Sequence, residues 1–532
     1  MPSTKKLLSI TNLKKYFPIA KSSIFQRQQY YVKANEDISL DIYEGETLGI
    51  VGESGCGKST LGRVLLQLYE QTAGTTMYYG MSRAELAPRY VTDTLRHAKR
   101  YISKLHAAQA RADAASAKVS QLGEAATFFD LQNKNLAVAE YQTAQAHIAK
   151  ILGGFLVRDT EQGAALLYRK ARLEERAAAL SDRIRDIELM LDEAEGGTAD
   201  DGKPANASQL ARLKSRCDRL TRERDGLNAQ IREAEQSIAA IKQAHRDDQK
   251  FQRYEAMLDD GIDLARLKYS EMRILRKDLQ IIFQDPYSSL NPRFTIGQII
   301  EEGLVTHKFF RHGSPKMREH VVRTMKECGL QEYMLFRYPH QFSGGQRQRI
   351  SIARALAVHP KFVVCDECVS ALDVSIQSQI INLLQELKQK EHLTYMFISH
   401  DLSVVRYISD RICVMYLGNV VELADAATVF GDPRHPYTVA LLSSIPTTDM
   451  ESLKKERILL EGSIPSPVKP PDGCKFHTRC WMACDKCRRV PPPLAEIEPG
   501  HFVACHFPER KLDENGNYLF EMPKTEKKSA KE

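Results

Sequence analysis

The stretch "TLGIVGESGCGKSTLGRVLL", residues 47–66, limits the possible folds more than any other part of the chain. Its apolar start fits a buried strand, "GESGCGKS" satisfies the spacing G-x-x-x-x-G-K-[ST] with Gly52, Gly57, Lys58 and Ser59, and "STLGRVLL" reads as a helix. Strand, glycine-rich turn and helix in this order turn successive backbone N–H groups inward on phosphate oxygens, at the positive end of a helix dipole. Ser54, Gly55 and Thr60 complete the loop, Lys58 neutralises the β- and γ-phosphates, and Ser59 offers its hydroxyl to magnesium. The first expectation is a nucleoside triphosphate site carried by a parallel α/β sheet.

A second component is "KFVVCDE", a short apolar run that ends in Asp366 and Glu367. A carboxylate at the end of a buried parallel strand lies beside the phosphate loop, so Asp366 can hold magnesium and Glu367 can polarise an attacking water. Two solvated acids at a strand end are the plainer alternative, and it weakens once the phosphate loop is granted. Residues 1–80 and 263–430 alternate short β-rich runs with helical stretches, the texture of one α/β domain in two parts. No apolar run approaches the ~20 residues that span a bilayer. The start "MPSTKKLLSITNLKKYFPIA" has no signal-peptide pattern, so the expected compartment is the cytosol. The net charge of +7 over 532 residues is a small surplus and reads as solvated surface.

The middle differs in composition. Residues 81–262 are rich in Ala, Arg, Glu, Gln and Leu and contain only Pro88 and Pro204, which predicts a largely helical insertion. Leu173, Ala177, Leu180, Ile184, Ile187 and Leu191 step 4-3-4-3-4, and Leu213, Cys217, Leu220, Leu227, Ile231, Ala234, Ile238 and Ile241 keep that register. Such seams predict an antiparallel coiled-coil hairpin with its tip near 195–208; two ordinary amphipathic helices of a compact bundle are the alternative. With 29 Lys and Arg against 28 Asp and Glu, the insertion is a poor electrostatic grip for nucleic acid.

"FSGGQRQRISIARAL", residues 342–356, resembles the signature motif of ATP-binding-cassette (ABC) ATPases, centred on Ser343, Gly344, Gly345 and Gln346. In the family's order follow further likenesses: "FQDP" with Gln284 resembles the Q-loop, "SALD" with Asp373 the D-loop, and "FISHD" with His400 the switch histidine. The stretches "LQIIFQDPYSSLNPR", "CDECVSALDVSIQSQI" and "RHPYTVALLSSIP" narrow the resemblance to the ATP-binding subunits of oligopeptide/dipeptide permeases. The resemblance implies magnesium held by Ser59, Gln284 and Asp366, catalysis by Glu367, His400 and Gln284, and an aromatic before the phosphate loop that stacks on adenine. For that role "LKKYFP" supplies Tyr16, the preferred choice, and Phe17; a buried strand aromatic is the competing reading. Two cassettes are expected to close head to tail, the signature of one meeting the ATP of the other. The chain departs from the family twice. Cys368 stands where the family usually has proline, which should loosen the backbone after the catalytic acid, and 226 positions separate Lys58 from Gln284.

From 431 the chain is rich in Pro, Cys and His, giving an expected C-terminal extension over 431–515 and a disordered tail over 516–532. Thiolates bunched on loops in a reducing compartment suit an iron–sulfur cluster or zinc. The resemblance implies a 4Fe-4S cluster on Cys474, Cys480, Cys487 and Cys505, while Cys484 forms with Cys487 a C-x2-C pair that also suits zinc. Cys56, Cys217, Cys328, Cys365, Cys368 and Cys413 read as small apolar residues.

The expected function is an ATP-hydrolysing subunit at the cytoplasmic face of the membrane that drives peptide import through separate permease subunits. Its partners would be a second cassette, identical or not, and indirectly an extracytoplasmic peptide-binding protein. A mechanical ATPase of the chromosome-maintenance or DNA-repair type is the alternative. It fits less well, because there the coiled coil separates Q-loop from signature, whereas here the insertion precedes Gln284. A third reading makes the insertion a docking arm for another protein.

Overall fold

The computed structural model describes residues 5–21, 28–195, 207–310, 312–445 and 458–508. The chain forms two compact units, one of Met1–Thr72 with Arg273–Glu532, the other of Ala73–Met272.

The first unit opens with two long strands, β1 (Lys6–Pro18) and β2 (Tyr31–Tyr43), paired antiparallel. Eight further strands form one sheet: β3 (Thr47–Val51), β4 (Leu279–Ile282), β5 (Phe362–Asp366), β6 (Thr394–Ile398), β7 (Arg411–Tyr416), β8 (Asn419–Asp425), β9 (Ala495–Glu498) and β10 (His501–Val503). Their order is β9-β10-β8-β7-β3-β6-β5-β4. The five strands from β7 to β4 run parallel, and β8, β10 and β9 add an antiparallel edge. Every residue of β3, β5 and β6 is buried. That explains why these strands read as unbroken apolar runs: both faces of a parallel sheet are covered.

The C-terminal segment belongs to this unit's core. Helix α1 (Lys58–Leu65) follows the phosphate loop, α2 (Gly344–Leu356) and α3 (Val374–Glu391) carry the signature and D-loop segments at their starts, and α4 (Pro436–Ser443) begins at the "HPYT" segment. Tyr437 of α4 and Phe476 lie fully buried with Tyr416 of β7, the three ring centroids 4.8–5.4 Å apart. A Pro- and Cys-rich segment with little periodicity thus packs through a few aromatics.

In the second unit the strand Ala73–Tyr78 pairs antiparallel with Ile262–Asp263, Tyr78 opposite Ile262. This unit extends beyond the 81–262 read from composition because that strand pair is counted with it. Helices Ala98–Leu122 and Phe128–Leu152 pack near Phe155 and Phe251, whose rings meet edge to face at 5.8 Å. Helices Thr160–Glu195 and Ala207–Ala244 share a separate apolar seam of Leu173, Ala177, Leu180, Ile184 and Ile187 against Leu220 and Leu227. Lys170 pairs with Glu235 at 2.9 Å and Arg169 with Glu233 at 3.6 Å, so the start of one helix lies beside the end of the other and the two run antiparallel. Residues 196–206, most of the expected tip, and the expected tail 516–532 lie outside the described residues.

Candidate functional site

Strand register gathers the candidate residues at one end of the sheet. Ile50 of β3 and Asp366 of β5 both pair with Ile398 of β6, so the residues that follow each strand emerge side by side: the phosphate loop, Glu367, and Ser399–His400. This is the carboxyl end of a parallel sheet, where α/β proteins place their ligands. Two glycines of the loop are sterically required. A Cβ on Gly57, at φ +100°, would lie 2.1 Å from the carbonyl oxygen of Ala34, and one on Gly52, at φ +147°, 2.2 Å from that of Met415.

Lys58 is buried, and its ammonium donates to the carbonyls of Gly52 at 2.8 Å and Glu53 at 3.1 Å. It also reaches the Cys56 sulfur at 3.9 Å, and no carboxylate pairs with it among the described residues, so a buried cation faces only neutral dipoles. Asp366 is buried as well; one carboxylate oxygen takes a hydrogen bond from Arg63 at 3.3 Å and the other has no partner. Both features fit a site that gains a phosphate and a magnesium ion.

Glu367 is where the other candidates meet. Gln284 Nε2 donates to Glu367 Oε2 at 2.8 Å, and His400 Nδ1 lies 3.6 Å from the same oxygen. Glu367 adopts a left-handed backbone, φ +49°, a strain of about 1–3 kcal/mol for a residue with a side chain. The strain is held in place by neighbours: the Glu367 N–H donates to Ile398 O at 3.0 Å, and the Ser370 N–H and hydroxyl donate to the Glu367 carbonyl at 3.2 and 2.9 Å. Cys368 is buried against the core, so this turn is pinned without a proline.

Ser343 caps α2, its hydroxyl accepting from Gln346 N at 3.3 Å while the Gln346 side chain accepts from Ser343 N at 3.2 Å. Ser343 and Gly344 are exposed, and Asp373, also exposed, caps α3 by accepting from Ile376 N at 3.0 Å. Among the described residues no hydrogen bond or ion pair joins this signature segment to Lys58, Asp366 or Glu367.

The ABC transporter family profile matches residues 35–155 and 249–370, and the profile of the oligopeptide/dipeptide transporter C-terminal region matches 421–487. AppF of Bacillus subtilis (strain 168), an oligopeptide transport ATP-binding protein, is 52% identical over 254 residues, 47% of this chain and 76% of AppF. The "Probable peptide ABC transporter ATP-binding protein y4tS" of Sinorhizobium fredii is 48% identical over 251 residues, 47% of this chain and 70% of that protein. The chain belongs to the ABC transporter ATPases that carry an oligopeptide/dipeptide transporter C-terminal region. It is an ABC-type ATPase, built on the nucleotide-binding fold of that family.

In this ATPase Tyr16 is not placed to stack on a base. Its ring is buried in β1, and its hydroxyl donates to Glu36 at 2.5 Å; burial and the Glu36 charge both raise its pKa. The preference for Tyr16 as the adenine platform is therefore corrected: it is a core residue. The adjacent Phe17 is half-buried and meets Tyr69 edge to face at 5.4 Å.

Cys474, Cys480, Cys487 and Cys505 line one small cavity, together with Phe476 and Met482. Cys484 is not on its wall, although its sulfur lies 3.7 Å from that of Cys487. Burial pushes the Cys480 thiol up to about 12 and the Cys505 thiol to about 11, while the Phe507 N–H donates to the Cys505 sulfur at 3.4 Å. Among the described residues no three His, Cys, Asp or Glu side chains converge closely enough to bind a single metal ion. Of the remaining cysteines, Cys56, Cys328, Cys365, Cys368 and Cys413 are buried and Cys217 is partly so.

Sequence reading missed three residues around the phosphate loop: Arg63, which reaches Asp366, and Tyr437 and Arg479, which both reach Glu53. Arg63 lies four residues after Ser59 on the helix that follows the loop and could have been found by helical spacing; the other two lie some 380 and 430 positions downstream, with no local signal.

Proposed function

We propose that this ABC ATPase powers peptide import, binding and hydrolysing ATP at the cytoplasmic face of the membrane while separate permease subunits carry the peptide. The observation that carries this reading is the C-terminal region at 421–487, matched by the oligopeptide/dipeptide transporter profile and joined to the same core as the phosphate loop. Among the described residues no helix is long and apolar enough to cross a membrane, in keeping with a subunit that acts through membrane-spanning partners.

In the proposed mechanism Gly52, Ser54, Gly55, Gly57 and Thr60 supply the cradle for the phosphates, and Lys58 offsets their charge. Ser59, Gln284 and Asp366 would hold magnesium, which would supply positive charge to the β- and γ-phosphates. Glu367 accepts the proton of the attacking water, Gln284 orients that carboxylate, and His400 stabilises the charge that develops. Ser343, Gly344, Gly345 and Gln346 serve the ATP of a second cassette, identical or not, with Asp373 beside the contact. The exposed, capped start of α2 supports this reading, since a helix N-terminus offers free N–H groups to an anion.

The paired helices of the second unit are read as a coiled-coil arm, inserted at 81–262 into an α/β cassette whose parts are 1–80 and 263–430. The extension 431–515 carries a metal centre on Cys474, Cys480, Cys487 and Cys505. Four thiols around one cavity, with no three at single-ion spacing among the described residues, suit a 4Fe-4S cluster better than zinc; iron and zinc analysis of the anaerobically purified chain distinguishes them.

Assembly with the permease subunits and a peptide-binding protein tests the function. Peptide should stimulate ATP turnover; turnover that ignores peptide and rises with DNA would support the mechanical ATPase.

A further inference from the structure

Glu53, the second residue of the phosphate loop, is held from three sides, on two of them by groups that lie far from it in the sequence. Its N–H donates to the Tyr437 hydroxyl at 2.8 Å. Its carboxylate takes a bidentate pair from Arg479, at 2.7 and 3.0 Å. Its carbonyl accepts from Lys58 at 3.1 Å. Tyr437 is fully buried, and the Arg479 side chain is only 7% exposed, lying over the Tyr416 ring. The hydrogen bond to Glu53 raises the Arg479 pKa further, so the guanidinium is a permanent charge.

The base of this arrangement is rigid. Glu422 accepts from the N–H groups of Arg434 and His435 at 2.7 and 3.0 Å and from His501 at 2.8 Å, and His435 caps the helix that carries Tyr437. Arg479 directly precedes Cys480 of the thiol cavity. Lys475, directly after Cys474, reaches back in the same way to Glu36 at 3.3 Å.

A carboxylate at the entrance of a phosphate cradle is an electrostatic liability, because it repels the anion that the loop must bind. We propose that the C-terminal extension is a clamp on the phosphate loop, in which Tyr437 and Arg479 position Glu53 and Arg479 cancels its charge, so that the extension sets the affinity of the site for a nucleoside triphosphate. This rests on the loop being the nucleotide site and adds a regulator of that site within the chain. Arg479 is a positioning residue: it acts on the phosphates through Glu53.

The clamp separates from a purely structural salt bridge by whether binding follows stability. A structural bridge is destabilised by losing one partner and can recover when both are lost, so its ATP affinity would track the melting temperature in every variant. The clamp instead leaves one uncompensated carboxylate beside the phosphates in Arg479→Gln and none in Glu53→Gln/Arg479→Gln.

Equilibrium binding of ATP to the full-length chain tests this, with thermal melts in parallel. Arg479→Gln should weaken ATP binding roughly tenfold or more, the scale of one unscreened charge near the phosphates. Arg479→Lys should recover much of the loss, and the double variant should bind close to wild type even if its melting temperature stays low. In turnover the loss should appear in KM and spare kcat. The proposal is overturned if Arg479→Gln binds within about twofold of wild type, or if the double variant binds no better than Arg479→Gln. Lys58→Ala separates the two readings. If wild type binds ATP and Lys58→Ala does not while Arg479→Gln is unaffected, the clamp alone fails; if wild type binds no better than Lys58→Ala, the nucleotide reading fails with it.

Discussion

At the scale of single residues, meaning comes from what each side chain faces. Glu367 was visible in the sequence as an acid at a strand end; its left-handed backbone and its shared oxygen with Gln284 and His400 were not, because they depend on strands brought together from three parts of the chain. Tyr16 shows the opposite error. Its position before the phosphate loop suggested a stacking surface, but strand alternation turns its ring inward to Glu36. Glu36 also carries a pH signature. Burial pushes its carboxyl up, yet Lys475, Lys33, Lys14 and the Tyr16 hydroxyl together outweigh that and hold it down at about 2, against an ordinary 4.5. A depressed carboxyl contributes stability that is full above its unfolded pKa and is lost as pH falls through its folded value. Replacing Lys475 by Met should therefore lower stability at pH 6, and the gap from wild type should close as the pH falls from about 4.5 towards 2. Denaturant unfolding at pH 6 and pH 3 measures it; a gap that does not change with pH contradicts the assignment.

At the scale of elements, the apolar runs "TLGIV", "FVVCD" and "TYMFI" were legible because a strand buried on both faces has no polar position to hide it. The order of those strands, with β3 between β6 and β7, was not, since periodicity carries no information on pairing. The 4-3-4-3 spacing of leucines and isoleucines anticipated the seam between the two long helices, where Ile184 and Leu220 are buried. The antiparallel edge strands β9 and β10 were missed: they hold seven residues between them, too few for an alternation signal. The insertion leaves and returns at adjacent points, as Tyr78 lies opposite Ile262. Replacing residues 80–260 by a four-residue glycine-rich turn, a length natural to hairpins, should thus leave ATP affinity within about threefold of wild type. Loss of ATP binding in a variant that keeps its α/β circular dichroism would show that the insertion helps to build the site.

At the scale of the whole molecule, the division of labour follows from where the chemistry sits. Every motif residue from Gly52 to His400 lies in the unit that contains the parallel sheet, and so does the extension whose cysteines line a cavity. The second unit has apolar cores of its own and none of those motifs. Composition alone separated the two textures, because long stretches rich in helix-forming residues and poor in proline are visible over long windows. Contacts such as Arg479 with Glu53 were not visible, because they span more than 400 positions. ATP hydrolysis at Glu367 is the proposed source of energy for peptide import. The direct measurement is accumulation of a labelled oligopeptide in proteoliposomes that hold the permease subunits, the peptide-binding protein and this ATPase, with ATP on the ATPase side. Wild type should accumulate peptide only with ATP, and Glu367→Gln should bind ATP yet cut both turnover and accumulation by about a hundredfold, the scale of removing a general base; peptide accumulation by Glu367→Gln at the wild-type rate would contradict the account.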